Sequence, residues 1–363
     1  MEPLRIGIIG TGNISPAYIN GCRDFDILHL AACADLDLDK ARAVAAENEI
    51  PAVYSVEDML NAPDIDIVVN LTIPAAHAAV SLSALNAGKH VYSEKPFAVT
   101  REDGQKILAT AREKGLRVGC APDTFLFGPH QTCRKLIDEG AIGRPVAAFA
   151  NMLSHGPESW HPNPDFFYQT GGGPMFDMGP YYVTCLVNLL GAVQSVTAVT
   201  RKSFDERIMG KNRDGRHIPV EIPTHYTGAL DFEGGAVATV TMSFDIWGHS
   251  LPRMEIYGSE GSLYVPDPNG YEKTVKLWRD GKWEEIPLTH REEWRRGIGL
   301  ADMAYAITNG REQRASGDLA YHVLDVMHCF EESSNAGQRV AVGSRAERPA
   351  ALPVDLEARV LDA

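Results

Sequence analysis

Over the first third of the chain, short unbroken apolar runs alternate with segments of helical spacing. LRIGII (4–9), LHLAACAD (28–35), DIDIVVNLT (64–72), HVYSE (90–94) and LRVGCA (116–121) are the runs. Continuous apolar stretches of this length suit strands covered on both faces of a parallel sheet. Helices are predicted from Ser15 to Gly21 and over 39–48, 75–88 and 101–114, the third closed by Gly88. Strand and helix alternate through residue 121, and right-handed crossovers then give a doubly wound sheet. After Pro122 the pattern changes. HQTCRKLIDEG (130–140) has helical spacing, followed by β-rich runs such as PVAAFANML, HYTGALDFE, GAVATVTMSFD and RMEIYGSE. Gly234-Gly235 marks a hairpin. Helices around 173–190 and 318–336 interrupt this region, and the tail AERPAALPVDLEARVLDA is expected as an arm or edge. The fold class read from this is α/β: an N-terminal doubly wound parallel sheet of Rossmann type (1–121), then an α+β domain (122–363) with a large, mostly antiparallel open sheet.

Length supports that division, because 363 residues exceed one ordinary core. The residues are 44% hydrophobic and 23% charged, an ordinary globular composition. A net charge of −14 without a basic cluster argues against nucleic acid, whose phosphates require a positive face. No apolar run is long enough for a membrane span. The opening MEPLRIGIIG enters a strand directly, without the features of a signal peptide, so a cytoplasmic location is expected. Cys22, Cys33, Cys120, Cys133, Cys185 and Cys329 show no CxxC spacing and read as reduced, buried thiols.

Gly10-x-Gly12 follows a strand and opens a helix, the context of a dinucleotide-binding turn. Gly10 permits the tight turn, and Gly12 lets backbone approach a pyrophosphate at the helix N-terminus. The third glycine of the pattern is Ser15. Asp35 ends the second strand, where it could accept from an adenosine ribose. A carboxylate there repels a 2′-phosphate, so NAD is favoured over NADP. Asp37 could share that role. The bland alternative is a plain turn, with Asp35 a helix cap.

Lys95 ends a parallel strand and precedes Pro96, on the sheet edge where such folds bind ligands. It could hydrogen-bond a hydroxyl being oxidised; alternatively it is a surface lysine paired with Glu94. In GGGPMFDMGPYYVTCLVNLLG (171–191), Pro174 suits a first helical turn. Asp177 and Tyr181 share a helical face there and suit a proton relay. A cap at Asp177 and a packed Tyr181 are the alternative, and Tyr182 reads as packing. SHGPESWHPNPDFFYQT (154–170) combines Trp160, Phe166, Phe167 and Tyr168 with His155, Glu158, His161 and Asp165 in a loop. Such a mixture suits a sugar or cyclitol pocket, or else a packed loop or subunit contact. Metal binding by His155, His161 and Asp165 lacks the usual helical spacing, so no metal is expected.

Taken together, GIIGTGNI, LTIPAAH, GKHVYSEKPF (88–97) and GGGPMFDMGPYY resemble the Gfo/Idh/MocA family, the relatives of glucose–fructose oxidoreductase and inositol dehydrogenase. AYHVLDVMHCFEESSNAGQRV is similar to its C-terminal region. The resemblance implies hydride transfer between nicotinamide and a sugar-like hydroxyl. It implies a cofactor set of Gly10, Gly12, Asn13, Ile14, Asp35, Thr72, His77, Glu94 and Lys95. Lys95, Asp177 and Tyr181 become the catalytic candidates, and His155, Trp160 and His161 join them as substrate candidates. The family's D-x-G-x-x-H pattern here ends in Tyr181 instead of histidine, leaving Tyr181 and Lys95 both open as the acid/base. In LTIPAAH, an expected proline is Ile73, and His77 is read as structural or near the nicotinamide. The expected activity is NAD-dependent oxidation of a secondary hydroxyl of a sugar, glycoside or cyclitol. The alternatives are glycoside cleavage through transient oxidation and elimination, and a non-catalytic NAD or sugar sensor. A small sugar or polyol is the expected partner, with neither nucleic acid nor membrane. The resemblance also implies a homodimer or homotetramer.

Overall fold

A computed structural model of the chain describes residues 2–210 and 215–362. The chain divides into two compact units. The first comprises Met1–Gly128, His290–Tyr321 and Pro349–Ala363; the second comprises Pro129–Thr289 and His322–Arg348. The sequence boundary at 121/122 lies close to the border at Gly128. The units differ from a simple two-part division in grouping 290–321 and 349–363 with the N-terminal sheet.

In the first unit, strands β1 (Leu4–Ile9), β2 (Leu28–Ala34), β3 (Ala52–Tyr54), β4 (Ile67–Asn70), β5 (His90–Ser93) and β6 (Val118–Cys120) form a parallel sheet in the order β3-β2-β1-β4-β5-β6. Helices α1 (Ser15–Arg23), α2 (Leu38–Glu47), α3 (Val56–Asn61), α4 (Pro74–Asn86) and α5 (Arg101–Glu113) connect the strands. Local chemistry sets the helix starts. Asp37 caps α2 by accepting from Asp39 and Lys40 N–H, Ser55 caps α3, and Thr100 caps α5. β4 is fully buried, as its unbroken IVVN predicts. Strand order reverses between β1 and β4, so the loops after these two strands frame the crevice where doubly wound sheets bind ligands.

β3 and α3 were not predicted, because a three-residue strand and a six-residue helix carry too little periodicity. The predicted strand over 64–72 shortens to β4. The second unit opens with α6, whose residues run from Pro129 after a first residue, Gly128, that belongs to the first unit (Gly128–Asp138). Its sheet has nine strands in the order β16-β15-β14-β13-β7-β12-β11-β8-β17. These are β7 (Pro145–Leu153), β8 (Val193–Arg201), β11 (His225–Phe232), β12 (Val237–Ser243), β13 (Met254–Gly258), β14 (Ser262–Val265), β15 (Val275–Arg279), β16 (Lys282–Ile286) and β17 (Val340–Ala341). β9 (Glu206–Ile208) and β10 (His217–Pro219) form a separate pair. β7 and β12 run parallel while the other pairs are antiparallel. The Gly234-Gly235 hairpin joins β11 to β12. Helix α7 (Gly173–Leu190) lies against β7, β11 and β12 and supplies much of the core.

α8 (Ile298–Asn309), in the first unit, was also not predicted. It is buried along most of its length, so it carries no amphipathic stripe. α9 (Gly317–Ala336) starts in the first unit and runs on in the second. The C-terminal tail is an extended strap on the first unit. His290 Nε2 meets Leu352 O at 3.0 Å, Arg314 Nε donates to Ala350 O at 3.0 Å, and Arg311 pairs with Asp362 at 2.8 Å. All six cysteines are buried; burial pushes the Cys33 thiol up to about 11 and the Cys22 thiol to about 12. Among the described residues, no helix is long and apolar enough to cross a membrane.

Candidate active site

The turn after β1 is built by its glycines. Gly10 has φ +101°, and a Cβ there would lie 2.7 Å from Leu71 O. Only glycine fits both demands. A Cβ at Gly12 would meet no atom within 4 Å, so the turn opens on free space at the N-terminus of α1. Ile14 sits at the N-cap of that helix and gives it no side-chain cap, a proline lies in its first turn, and Asn13 is exposed. Ser15, in the place of a third glycine, is buried and ties its hydroxyl to Gly12 O at 2.8 Å.

Asp35 is anchored against this turn. Its Oδ2 accepts from Thr11 N and Thr11 Oγ1, both at 2.8 Å, and Oδ1 accepts from Asp37 N at 3.1 Å. Lys40 Nζ lies 3.8 Å away. Burial raises the carboxyl, but the Thr11 and Asp37 hydrogen bonds and the Lys40 ammonium outweigh it and hold Asp35 below the usual range. The cap of α2 is Asp37, which removes the reading of Asp35 as a cap. A cavity of about 310 Å³ is bordered by Gly10, Gly12, Asp35, Lys40, Thr72 and Ala76. An ionised carboxylate, an uncapped helix start and the space a Cβ at Gly12 would fill together fit the ribose and pyrophosphate of a dinucleotide.

The loops after β4 and β5 are tied together by buried polar groups. Asn70 accepts from Thr72 Oγ1 at 2.7 Å and donates to His77 O at 3.0 Å. The buried His77 ring has Nε2 2.9 Å from Thr72 O and Nδ1 2.7 Å from Pro96 O. Burial lowers its pKa against the pull of those carbonyls. The ring is therefore spent on joining the Thr72 loop to the Lys95-Pro96 segment. Glu94 is buried too: Oε1 accepts from Tyr18 OH at 2.8 Å and Oε2 from Lys95 N at 3.0 Å. Its carboxylate thus holds the main chain at Lys95, whose side chain is half-buried.

In the second unit, α7 begins at Gly173 with Pro174 in its first turn, so Asp177 lies inside the helix and is no cap. Asp177 is half-buried and Tyr181, one turn on, is buried. Tyr182 is buried and donates to Asp267 at 3.1 Å, the packing role predicted for it. The 154–170 loop splits its candidates. Trp160 and His161 join Phe167 in edge-to-face contacts at 5.2–6.3 Å. His155 stacks instead on Trp247. Both Asp165 oxygens are taken by Arg216, at 2.6 and 2.7 Å. Sequence reasoning missed Tyr18, Asn70, Thr11 and Trp247. Tyr18 and Thr11 act through long-range hydrogen bonds that leave no local pattern, and Asn70 through bonds to Thr72 and His77 that no motif announces, whereas Trp247 was visible as an isolated tryptophan after a strand.

Two family models cover most of the chain. "Oxidoreductase family, NAD-binding Rossmann fold" matches residues 4–121, and "GFO/IDH/MocA C-terminal domain" matches 130–264. Among characterised relatives, the chain is 28% identical over 349 residues to dTDP-3,4-didehydro-2,6-dideoxy-alpha-D-glucose 3-reductase of Saccharopolyspora spinosa, covering 90% of this chain and 98% of that protein. It is 23% identical to scyllo-inositol 2-dehydrogenase (NADP(+)) of Bacillus subtilis, over 78% of this chain and 75% of that one. Among solved structures, levoglucosan dehydrogenase in complex with NADH and L-sorbose shares the fold with a TM-score of 0.81 at 21% identity, covering 95% of this chain and 100% of that chain.

Proposed function

The chain belongs to the Gfo/Idh/MocA oxidoreductase family, and from that premise we propose that it moves a hydride between a secondary hydroxyl of a sugar, glycoside or cyclitol and NAD. The observation that carries the reading is the cavity at the β1/β4 reversal, with Gly10, Gly12 and Thr72 on its border and the ionised Asp35 beside the turn. Bound there, nicotinamide would supply the hydride chemistry that no side chain can.

The remaining roles fall to this chain's own residues. The N-terminus of α1, with Asn13 and Ile14, favours the pyrophosphate. Asp35 accepts from the adenosine ribose, and its fixed negative charge, only partly offset by Lys40, disfavours a 2′-phosphate. Lys95, held by Glu94 and Pro96, hydrogen-bonds the reacting hydroxyl and stabilises charge that develops on its oxygen. Tyr181 exchanges the proton, oriented by Asp177 one turn away on α7. His155, Trp160 and His161 supply sugar contacts.

We further propose a homodimer or homotetramer. Strand register puts Phe149, Val199, Val237 and Trp278 on one face of the nine-stranded sheet, and all four are exposed. Pairing of two such faces would cover a large apolar patch.

A panel of sugars and cyclitols with NAD and with NADP, followed by NADH or NADPH absorbance, tests the activity. Reduction of NAD by a ring polyol is expected. Lys95→Ala should keep NADH binding and lose most turnover; unchanged turnover in that variant would remove Lys95 from the chemistry. Release of an aglycone without net NADH would point instead to cleavage by transient oxidation.

A further inference from the structure

Trp247 is 85% exposed, and one face of its indole rests on another ring. His155 stacks on it with ring centroids 3.4 Å apart and planes 18° from parallel. The two residues sit just beyond the ends of the parallel strands β7 and β12. The ladder between those strands continues into both loops, with Ser154 N donating to Ser243 O at 3.0 Å and Ile246 N to Ser154 O at 2.9 Å.

A single buried guanidinium then locks the loops together. Arg207, 4% exposed, donates to His155 O at 2.6 Å and to Phe244 O at 3.0 Å. The same side chain donates to Glu158 Oε1 at 2.9 Å and Asp245 Oδ1 at 3.0 Å. The outer carboxylate oxygens are also satisfied, Glu158 by Tyr168 OH and Asp245 by Thr224 Oγ1 at 2.8 Å. Burying three charges is costly and seldom adds stability over apolar packing, so their value lies in fixing geometry. What they fix is the pair of loops that carries the His155–Trp247 stack.

We propose that this stack is a preorganised platform for the apolar face of a neutral, ring-form sugar or cyclitol. The inference deepens the sugar-oxidoreductase reading and rests on it for the substrate class. Three features select that ligand. A rigid, open indole face attracts the slightly positive C–H edges of a sugar ring, and its order is already in place before binding. The His155 Nδ1, at the base of the stack, is buried and has no hydrogen-bond partner among the described residues, so it is a polar group left unspent beside the platform. Behind the platform, two carboxylates oppose one guanidinium, so the formal charge is negative and sugar phosphates are disfavoured. Burial and the Arg207 charge both lower the His155 pKa, keeping the ring neutral at neutral pH.

The test compares the full-length protein with Trp247→Ala and Trp247→Phe. Tryptophan fluorescence is titrated with methyl β-D-glucopyranoside, myo-inositol, glucose 6-phosphate and the acyclic mannitol, alongside KM for whichever ring polyol reduces NAD. The neutral rings are expected to change the emission of the wild type more than that of Trp247→Phe, in which the Trp160 contact remains. Trp247→Ala should raise KM for the ring polyol by about tenfold or more, with NADH affinity unchanged and Trp247→Phe intermediate. Mannitol and the phosphate ester should bind at least about tenfold more weakly than the neutral rings. A KM within twofold of wild type in Trp247→Ala overturns the platform while leaving the dehydrogenase reading in place. Ring-sugar quenching without any NAD reduction does the reverse. A change of oligomeric state in Trp247→Ala at unchanged KM also overturns the platform and makes Trp247 a subunit contact.

Discussion

Alanine at Gly10 and alanine at Gly12 add the same methyl group two residues apart, and opposite consequences are expected. At Gly10 the residue must keep φ +101°, which costs an L side chain roughly 1–2 kcal/mol. The new Cβ also meets Leu71 O at 2.7 Å, a backbone atom of the loop after β4 that cannot rotate away. Overpacking of that kind costs about 1–3 kcal/mol, so Gly10→Ala should lose about 3 kcal/mol in all. For a unit of this size that corresponds to a fall of roughly 10 °C in the melting midpoint. At Gly12 the methyl meets nothing within 4 Å, and φ is outside the left-handed range. Restricting the unfolded chain should leave the apo protein unchanged or stabilised by about 0.4–1 kcal/mol. The same methyl occupies the space that a pyrophosphate needs, so NADH affinity should drop by about tenfold or more, equivalent to about 1.4 kcal/mol. Thermal melts of the two apo variants and NADH titration by fluorescence measure both effects. A Gly12→Ala protein that melts normally and binds NADH as tightly as wild type would refute the assignment of this turn to the cofactor. A Gly10→Ala protein of normal stability would refute the steric account of the turn.

Other expectations follow from the same contacts. Tyr181→Phe should keep NADH affinity but lower kcat, by about 10²-fold or more if the phenol exchanges the proton, and should flatten one limb of the pH–rate profile. An unaltered profile would leave that role to Lys95. Asp302→Asn should cost about 3 kcal/mol, because it strips a fully buried carboxylate from Arg311 and Arg314, and urea denaturation reads it directly. Burial lowers the pKa of His77, His90, His155 and His322, so the unfolded chain binds protons before the folded one does. Their contribution to stability is complete above the unfolded value of about 6.5 and is lost as pH falls from there toward the folded values. Urea midpoints should therefore fall between neutral and mildly acidic pH, and a midpoint that rises over that range contradicts the burial of these rings.

Much of the molecule was legible in its residues because the relevant signals are local. Unbroken apolar runs such as IVVN announce strands covered on both faces, and the order of strand, GTGN turn, helix and Asp35 follows from backbone rules acting over a few positions. Pro174 marked the first turn of α7 for the same reason. Three-residue β3 and the all-round apolar α8 escaped, since neither presents a period to detect. Polar partnerships across large sequence separations were invisible: Tyr18 to Glu94, His77 to Pro96, and Arg207 reaching both His155 and Phe244. Each is a hydrogen bond whose two ends are brought together by chain packing, and a donor in the sequence carries no mark of the acceptor it will meet. Residue type thus established which chemistry was available and on which elements it would ride. Which carboxylate faces the turn, Asp35, and which merely caps a helix, Asp37, came from the way β2 and α2 seat against β1, because burial and direction exist only once the chain is packed.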